Sequence, residues 1–232
     1  MTGRQPRSGH KTGAGSRTVD IGPEPRRVWW PPVLLLVVLL FPVSTATGLQ
    51  FYFFFEGPSS TGEAGNRYFT GSPRYKNYDC RVCHVDAIGK IQVRLWTEPE
   101  DIFRVGYEPE KEYKVRLSLL EETRAPGTKI FSTNNFCVEV LDRVGRTAGT
   151  FDLGFPTNPI QELFDPVVLS PDGTTVLSGF FYFELDWEWF WTAPEPGSGT
   201  VTFYGGFVDG NGDLKTFHDD VAVIKKQAVE VR

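Results

Sequence analysis

Hydrophobic and polar residues alternate with a period of two along most of the chain after residue 46. The clearest run is 181–191, where the odd positions hold Phe, Phe, Leu, Trp, Trp and Trp and the even positions hold mostly Tyr, Glu and Asp. A period of two places alternate side chains on opposite faces of a β-strand, and no helix presents that pattern on one face. The run therefore predicts a strand with Trp187, Trp189 and Trp191 in the core and the intervening acidic residues in solvent.

Similar alternation predicts further strands, and Gly- and Pro-rich turns such as "RAPGTK", "SPDGTT" and "APEPGSG" separate them. Many short strands with such turns predict an all-β fold, an antiparallel sandwich or barrel, in one domain. The apolar stretch "LQFYFFFEG" is a candidate first strand. The other candidates are 91–95, 113–119, 136–140, 201–207 and 221–231.

The first 46 residues have the pattern of a targeting segment. A basic, polar stretch precedes nine uninterrupted apolar residues, Val33 to Phe41, and small residues at Ser44 and Ala46 suit cleavage after position 46. Nine residues match a signal-peptide core and fall short of the ~20 needed to span a bilayer. We expect a signal region at 1–46 and one β domain at 47–232; an uncleaved membrane anchor is the alternative.

The net charge of the chain limits the classes of partner molecule that are expected. The whole chain has a net charge of −5, and without residues 1–46, which hold six basic and two acidic side chains, the remainder has −9. An acidic domain lacks the cationic surface that phosphate contacts require, so nucleic acid is not expected as a partner. Membrane contact is expected only through an uncleaved anchor.

The most specific chemical signal is Cys80-Arg-Val-Cys83-His84, the C-x-x-C-H pattern of covalent haem c attachment. In that chemistry the two cysteines form thioethers and the histidine is the proximal iron ligand. Haem c maturation belongs to an extracytoplasmic compartment, which agrees with export. The motif precedes the strand at 91–95, so we expect it on a loop at one end or edge of the sandwich.

Four segments together resemble a family of secreted bacterial domains: "GSPRYKNYDCRVCH", "YEPEKEY", "VLDRVGRTAGTF" and "FWTAPEPGSGTVTFY". In this order they are similar to the Reeler-like "choice-of-anchor V" domain, over about Gly71 to Asp220. The resemblance implies an exported, immunoglobulin-like β-sandwich that is often described as a c-type cytochrome because of its C-x-x-C-H motif. Glu110 departs from the family pattern, which has Gly at that turn position.

Few residues of the chain could supply the second axial ligand of a haem. Met1 is the only methionine and leaves with the signal, so a His/Met site is excluded, and His218 is the only other histidine after residue 46. His218 as distal ligand would give a bis-His site of low potential. We expect instead that His218 is a solvated turn residue and that the iron keeps an exchangeable position.

Three alternatives compete with haem at these residues. Cys137, on the row opposite Phe136, could pair with Cys80 or Cys83 and hold the motif loop to a strand. Zinc could bind Cys80, Cys83, His84 and Cys137, and thiol exchange is a further alternative, although its usual βαβ context is absent.

The turn "DGNGD" matches a calcium loop only in part. Asp209, Asn211 and Asp213 have the 1-3-5 spacing and Asp220 falls at position 12, but Leu214 occupies position 6, where Gly is required. The segment is more typical of a hairpin turn, and calcium is not expected.

The sequence therefore predicts an exported, monohaem c-type β-sandwich, periplasmic or at the cell surface, with electron transfer to a redox partner protein or cell-envelope component. The alternative is a non-catalytic structural or adhesion module whose cysteines form a disulfide or bind a metal. No pattern indicates a hydrolase or a transferase, and a non-enzymatic role is favoured.

Overall fold

The computed structural model describes residues 67–87, 89–121, 133–154, 165–179, 185–211 and 216–231, all within the unit Val43–Arg232. The predicted signal region, the stretch "LQFYFFFEG" and residues 181–184 lie outside them. None of the helices in the described ranges is long and apolar enough to span a membrane. Three short helical turns occur there: two 3₁₀ turns at Pro73–Tyr75 and Cys80–Val82, and helix α1 at Ile102–Val105.

Nine strands in the described ranges form two antiparallel sheets, which confirms the predicted all-β sandwich. The four-stranded sheet has the order β1-β2-β7-β4, and the five-stranded sheet has the order β5-β6-β3-β8-β9. The strands are β1 Gln92–Glu98, β2 Glu112–Glu121, β3 Thr133–Leu141, β4 Thr150–Asp152, β5 Val167–Leu169, β6 Thr175–Ser178, β7 Asp186–Thr192, β8 Val201–Gly210 and β9 Asp220–Ala228.

Aromatic side chains from both sheets form the main core. Trp189 of β7 stacks on Phe136 of β3 with ring centroids 5.7 Å apart, and Trp191 meets Phe203 of β8 edge to face at 5.0 Å. Such pairs add ~0.5–1.5 kcal/mol beyond the burial of their area. The predicted tryptophan row is thus the centre of the sandwich, while Asp186 and Glu188 are exposed.

Strands β3 and β8 of the five-stranded sheet are buried on both faces, which the alternation did not predict. Cys137 and Glu139 of β3 point away from the main core, yet they are only 2% and 0% exposed. The chain before β1 covers them, and we call residues 68–84 the cover segment. A small second core lies beneath it, with Tyr68 against Cys137 and Leu177.

The C-x-x-C-H motif, predicted on a loop at one end or edge of the sandwich, lies on the outer face of the five-stranded sheet beside its edge strand β9. The 3₁₀ turn Cys80–Val82 packs against β8 and β9, and Cys80 reaches the middle of the sheet, where Cys137 pairs with Gly206. The outward-facing residues of β3 and β8 include enough polar side chains to predict a solvent-exposed face, but the cover segment buries that face.

Candidate functional site

The cover segment is a compact loop whose two limbs are joined by main-chain hydrogen bonds. Thr70 and Asp79 form an antiparallel bridge, and Gly71 N donates to Tyr78 O at 2.9 Å. At its end, the Asp79 carboxylate caps the 3₁₀ turn by accepting from Arg81 N at 2.9 Å. The Arg81 side chain also bonds this carboxylate, and that interaction lowers the pKa of Asp79. The cap fixes where Cys80 leaves the loop and enters the sheet.

The thiols of Cys80 and Cys137 meet over the glycine at position 206. Hydrogen bonding to Cys137, with burial, raises the pKa of Cys80 well above its ordinary value. A Cβ atom built on Gly206 would lie 2.7 Å from Cys80 Sγ, 3.5 Å from Cys137 Sγ and 2.5 Å from the Phe69 carbonyl oxygen. Only a residue without a side chain allows this approach of the cover segment to β8. The two sulfurs share one small space beneath the cover segment.

A buried carboxylate holds the other limb of the cover segment. Glu139 is fully buried on β3; it accepts from Thr70 Oγ1 at 2.5 Å, and its Oε2 lies 3.1 Å from Arg74 Nη1. Arg74 also donates to Thr147 Oγ1 at 2.8 Å. A buried charge without a partner is costly, so this ion pair makes docking of the segment specific to one position.

His84 is connected to the turn that carries His218, but the two histidines play different parts. His84 Nδ1 lies 2.9 Å from Asp219 Oδ2, and Asp219 is buried. His218 itself is exposed, and its backbone N donates to Asp86 Oδ2 at 2.9 Å. The turn after "DGNGD" therefore lies beside the motif loop, as a bis-His site would need, while the exposure of His218 agrees with a solvated turn residue.

Covalent haem requires both cysteine sulfurs to reach one porphyrin, and the arrangement of Cys80 does not fit it. Its sulfur lies between the cover segment and the sheet, against Cys137 and the backbone of Gly206, where a macrocycle has no space. The contact between His84 and Asp219 resembles the second contact of a metal-bound histidine, but it also serves to join the motif loop to β9. Haem attachment at Cys80, Cys83 and His84, with His218 as distal ligand, stays a prediction from the sequence.

The metal alternatives gain no support from the described part of the chain. No group of three or more His, Cys, Asp or Glu side chains in it is arranged to hold a metal ion. Asp213 and Leu214 of the partial calcium pattern lie outside the described residues. Asp220 is engaged elsewhere: its carboxylate accepts from the backbone N–H groups of residues 89, 90 and 91 at 2.5, 2.7 and 3.1 Å.

Three of the four segments that carry the family resemblance, all but the cover segment, meet around one side chain, Trp191, and their role there is structural. Its Nε1 donates to the Ala148 carbonyl at 3.0 Å, and its ring packs edge to face against Tyr107 at 5.8 Å. A Cβ on Gly149 would lie 2.2 Å from the Thr192 carbonyl oxygen. These motif residues are explained by packing.

Sequence reasoning missed Gly206, Thr70, Arg74 and Glu139. One signal was present: a Gly-Gly pair at 205–206 inside a predicted strand marks close approach of another backbone. The others gave none, because a lone charged residue in an alternating strand is ordinarily solvated.

Comparison with known proteins gives matches only at the level of structure. No family model matches the sequence, and no curated protein matches it either. The crystal structure of the human F-spondin reeler domain (fragment 1) is 18% identical, with 62% of this chain and 91% of that chain covered and a TM-score of 0.44. The Reelin-N domain of F-spondin is 19% identical, with coverage of 66% and 97% and a TM-score of 0.45.

Proposed function

We propose that the chain is an exported, non-catalytic β-sandwich module of the cell envelope, structural or adhesive in role, in which a Cys80–Cys137 disulfide holds the cover segment on the sheet. The observation that carries the proposal is the contact of these two thiols over Gly206. Disulfides persist in exported proteins, and the N-terminal sequence pattern supports export. The resemblance to choice-of-anchor V domains supports an exported β-sandwich.

The bridge would be a substantial part of the stability of the domain. The two cysteines are 57 positions apart, and the chain-entropy relation gives ~4 kcal/mol for closing a loop of about that length. The cover segment would then be held covalently at one limb and by the Glu139 ion pair at the other.

The test is disulfide mapping on the full chain produced in an oxidising compartment of a host that also matures haem c. We expect a non-reduced digest to contain the Cys80 peptide linked to the Cys137 peptide, with no Soret band, no pyridine haemochrome and no haem mass. Reduction should lower the free energy of unfolding by ~2–4 kcal/mol. Thioether-bound haem on Cys80 and Cys83 would overturn the proposal and establish the cytochrome reading.

Cys137→Ser and Cys83→Ser form a matched pair of variants. Both replace one sulfur by oxygen, but only the first removes the bridge. We expect Cys137→Ser to destabilise and to show no further loss on reduction, while Cys83→Ser keeps the stability of the oxidised protein.

A further inference from the structure

A cleft lies on the outer face of the five-stranded sheet, beside the cover segment. Its volume is about 520 Å³, which is within the range of ligand-binding sites in proteins. The floor is formed by Leu141, Thr202 and Tyr204, on the outward-facing rows of β3 and β8. One wall is the turn 142–145 that follows β3, and the other is Pro73 of the cover segment. The cover segment thus shields only part of the sheet and forms the side of an open cleft over the rest.

Both walls of the cleft are held in place by hydrogen bonds. The Asp142 carboxylate fixes the turn, because it accepts from the backbone N of residues 144 and 146 and from Arg146 Nε, each at 2.9 Å. Pro73 belongs to the 3₁₀ turn Pro73–Tyr75, and Arg74 of that turn donates to Thr147 Oγ1 at 2.8 Å. This bond joins the cover segment to the chain just beyond the opposite wall. A cleft with fixed walls binds a ligand at a small cost in ordering.

Polar groups that face the cleft have capacity left for a ligand. Arg143 Nη2 donates to Thr200 Oγ1 at 2.9 Å, which positions the guanidinium and uses one of its five N–H donors. Gln227 Nε2 lies 3.5 Å from Thr202 Oγ1, a distance too long for a strong hydrogen bond. Its amide can therefore bond to a ligand, and the Tyr204 hydroxyl adds a group that both donates and accepts.

The lining limits the class of ligand. Among the described residues that line the cleft, one is acidic and one is basic, Asp142 and Arg143, so the site does not select a charged molecule. Strand β8 is paired with β3 on one side and with β9 on the other. The floor therefore presents side chains and not the free strand edge that an added peptide strand needs. Hydroxyl, amide and guanidinium groups next to the apolar surface of Pro73 and Leu141 suit an uncharged ligand with many hydroxyls and apolar ring faces.

We propose that this cleft binds a neutral oligosaccharide. The inference deepens the proposed function, because it names the partner class of an adhesive module. Arg143 and Gln227 donate to sugar hydroxyls, the Tyr204 hydroxyl donates and accepts, and Pro73 contacts the apolar C–H face of a sugar ring. Each of these bonds replaces one to water, so single contacts contribute modestly and affinity comes from several sugar units that lie along the cleft.

The experiment presents the full chain to an array of neutral and acidic oligosaccharides and then measures Kd for the best neutral one by titration calorimetry. We expect binding to neutral oligosaccharides, and we expect Kd to change little when the salt concentration is raised, because no ion pair forms with the ligand. Heparin and polygalacturonate serve as acidic probes.

Three variants change the cleft, and two matched variants change the opposite sheet. Tyr204→Phe and Gln227→Ala should each raise Kd about 2- to 10-fold, the usual effect of one neutral hydrogen bond. Arg143→Met should raise it by about tenfold or more, because hydrogen bonds from a charged donor are stronger. Gln92→Ala and Arg94→Met alter exposed residues of β1 and should leave Kd unchanged. Thermal melts check that every variant is folded.

Three outcomes would overturn this inference: no binding to any neutral oligosaccharide, binding to the acidic probes alone, or an unchanged Kd in all three cleft variants. None of them touches the Cys80–Cys137 disulfide, which peptide mapping tests separately. If that disulfide is absent and haem is attached instead, the proposed function fails, while the effect of the cleft variants on sugar binding still decides this inference.

Discussion

Substitution of Gly206 by Ala tests how closely the cover segment packs on β8. The added methyl group would lie 2.5 Å from the Phe69 carbonyl oxygen and 2.7 Å from Cys80 Sγ, and real Cβ atoms essentially never approach other atoms within 3.0 Å. Carbon contacts are favourable only at ~3.5–4 Å, so the cover segment must move outward by about 1 Å. We expect a loss of ~1–3 kcal/mol in the free energy of unfolding, as in other overpacked sites.

The change also has a local readout. Arg74, Lys76 and Arg81 are trypsin sites within the cover segment, and we expect faster cleavage there together with a smaller yield of the proposed Cys80–Cys137 disulfide. Gly173→Ala is the control, because its Cβ would meet nothing within 4 Å and its cost comes only from a φ of +69°. It should lower stability by ~1 kcal/mol without changing cleavage in the cover segment. Wild-type stability and wild-type cleavage in Gly206→Ala would refute the packing described for this segment.

Three further predictions concern single side chains. Arg74→Met leaves the buried Glu139 carboxylate without its cation and should cost ~3 kcal/mol in urea unfolding, at the low end for broken buried pairs because Arg74 is partly exposed. Glu110 has a φ of +60°, a conformation that favours glycine. Glu110→Gly should therefore raise the free energy of unfolding by ~1 kcal/mol, which is measured as a higher melting temperature. The hydrogen bond from the Arg81 side chain lowers the folded-state pKa of Asp79. The stability that the Asp79 carboxylate adds is therefore complete above the unfolded-state pKa of ~4 and is lost as the pH falls through the lower folded-state pKa. In urea unfolding, the difference in stability between wild type and Asp79→Asn should close over that pH range.

Each of these has its own control. Arg146→Met removes an arginine that is 79% exposed in its pair with Asp142 and should leave stability nearly unchanged. Glu110→Ala removes the same carboxylate but keeps the strained backbone, so it should not reproduce the gain from Glu110→Gly. A gap between wild type and Asp79→Asn that is constant from pH 2 to 7 would contradict the assigned role of Asp79.

The strands were predictable because their alternation is a local property. Trp187, Trp189 and Trp191 are buried, and β2 follows its predicted row from Tyr113 to Leu119. The second layer was not predictable, since it depends on contacts between segments far apart in the chain. Glu139, in a strand whose polar row reads as solvent-facing, is fully buried because residues 69 positions earlier cover it.

The candidate site likewise has a part that the sequence predicts and a part that it does not. The motif Cys80 to His84 stands out in the sequence through its spacing, and so does the odd cysteine at 137. The position of Cys80 beside Cys137 could not be deduced, because spacing along the chain does not say which sulfur a loop will bring to a sheet. Gly206 makes that position possible, because it allows the cover segment to reach β8.

The two-sided burial of β3 and β8 sets an order of events during folding. Both limbs of the cover segment precede the strands on which they lie, and the contact between Thr70 and Glu139 spans 69 positions. Contacts of such separation form slowly, because loop closure must be completed before they contribute. During synthesis the cover segment emerges before β3 and β8. Thr70 and Arg74 therefore stay in water until Glu139 of β3 has been made, and the outer face of the sheet is covered only after the strands have formed.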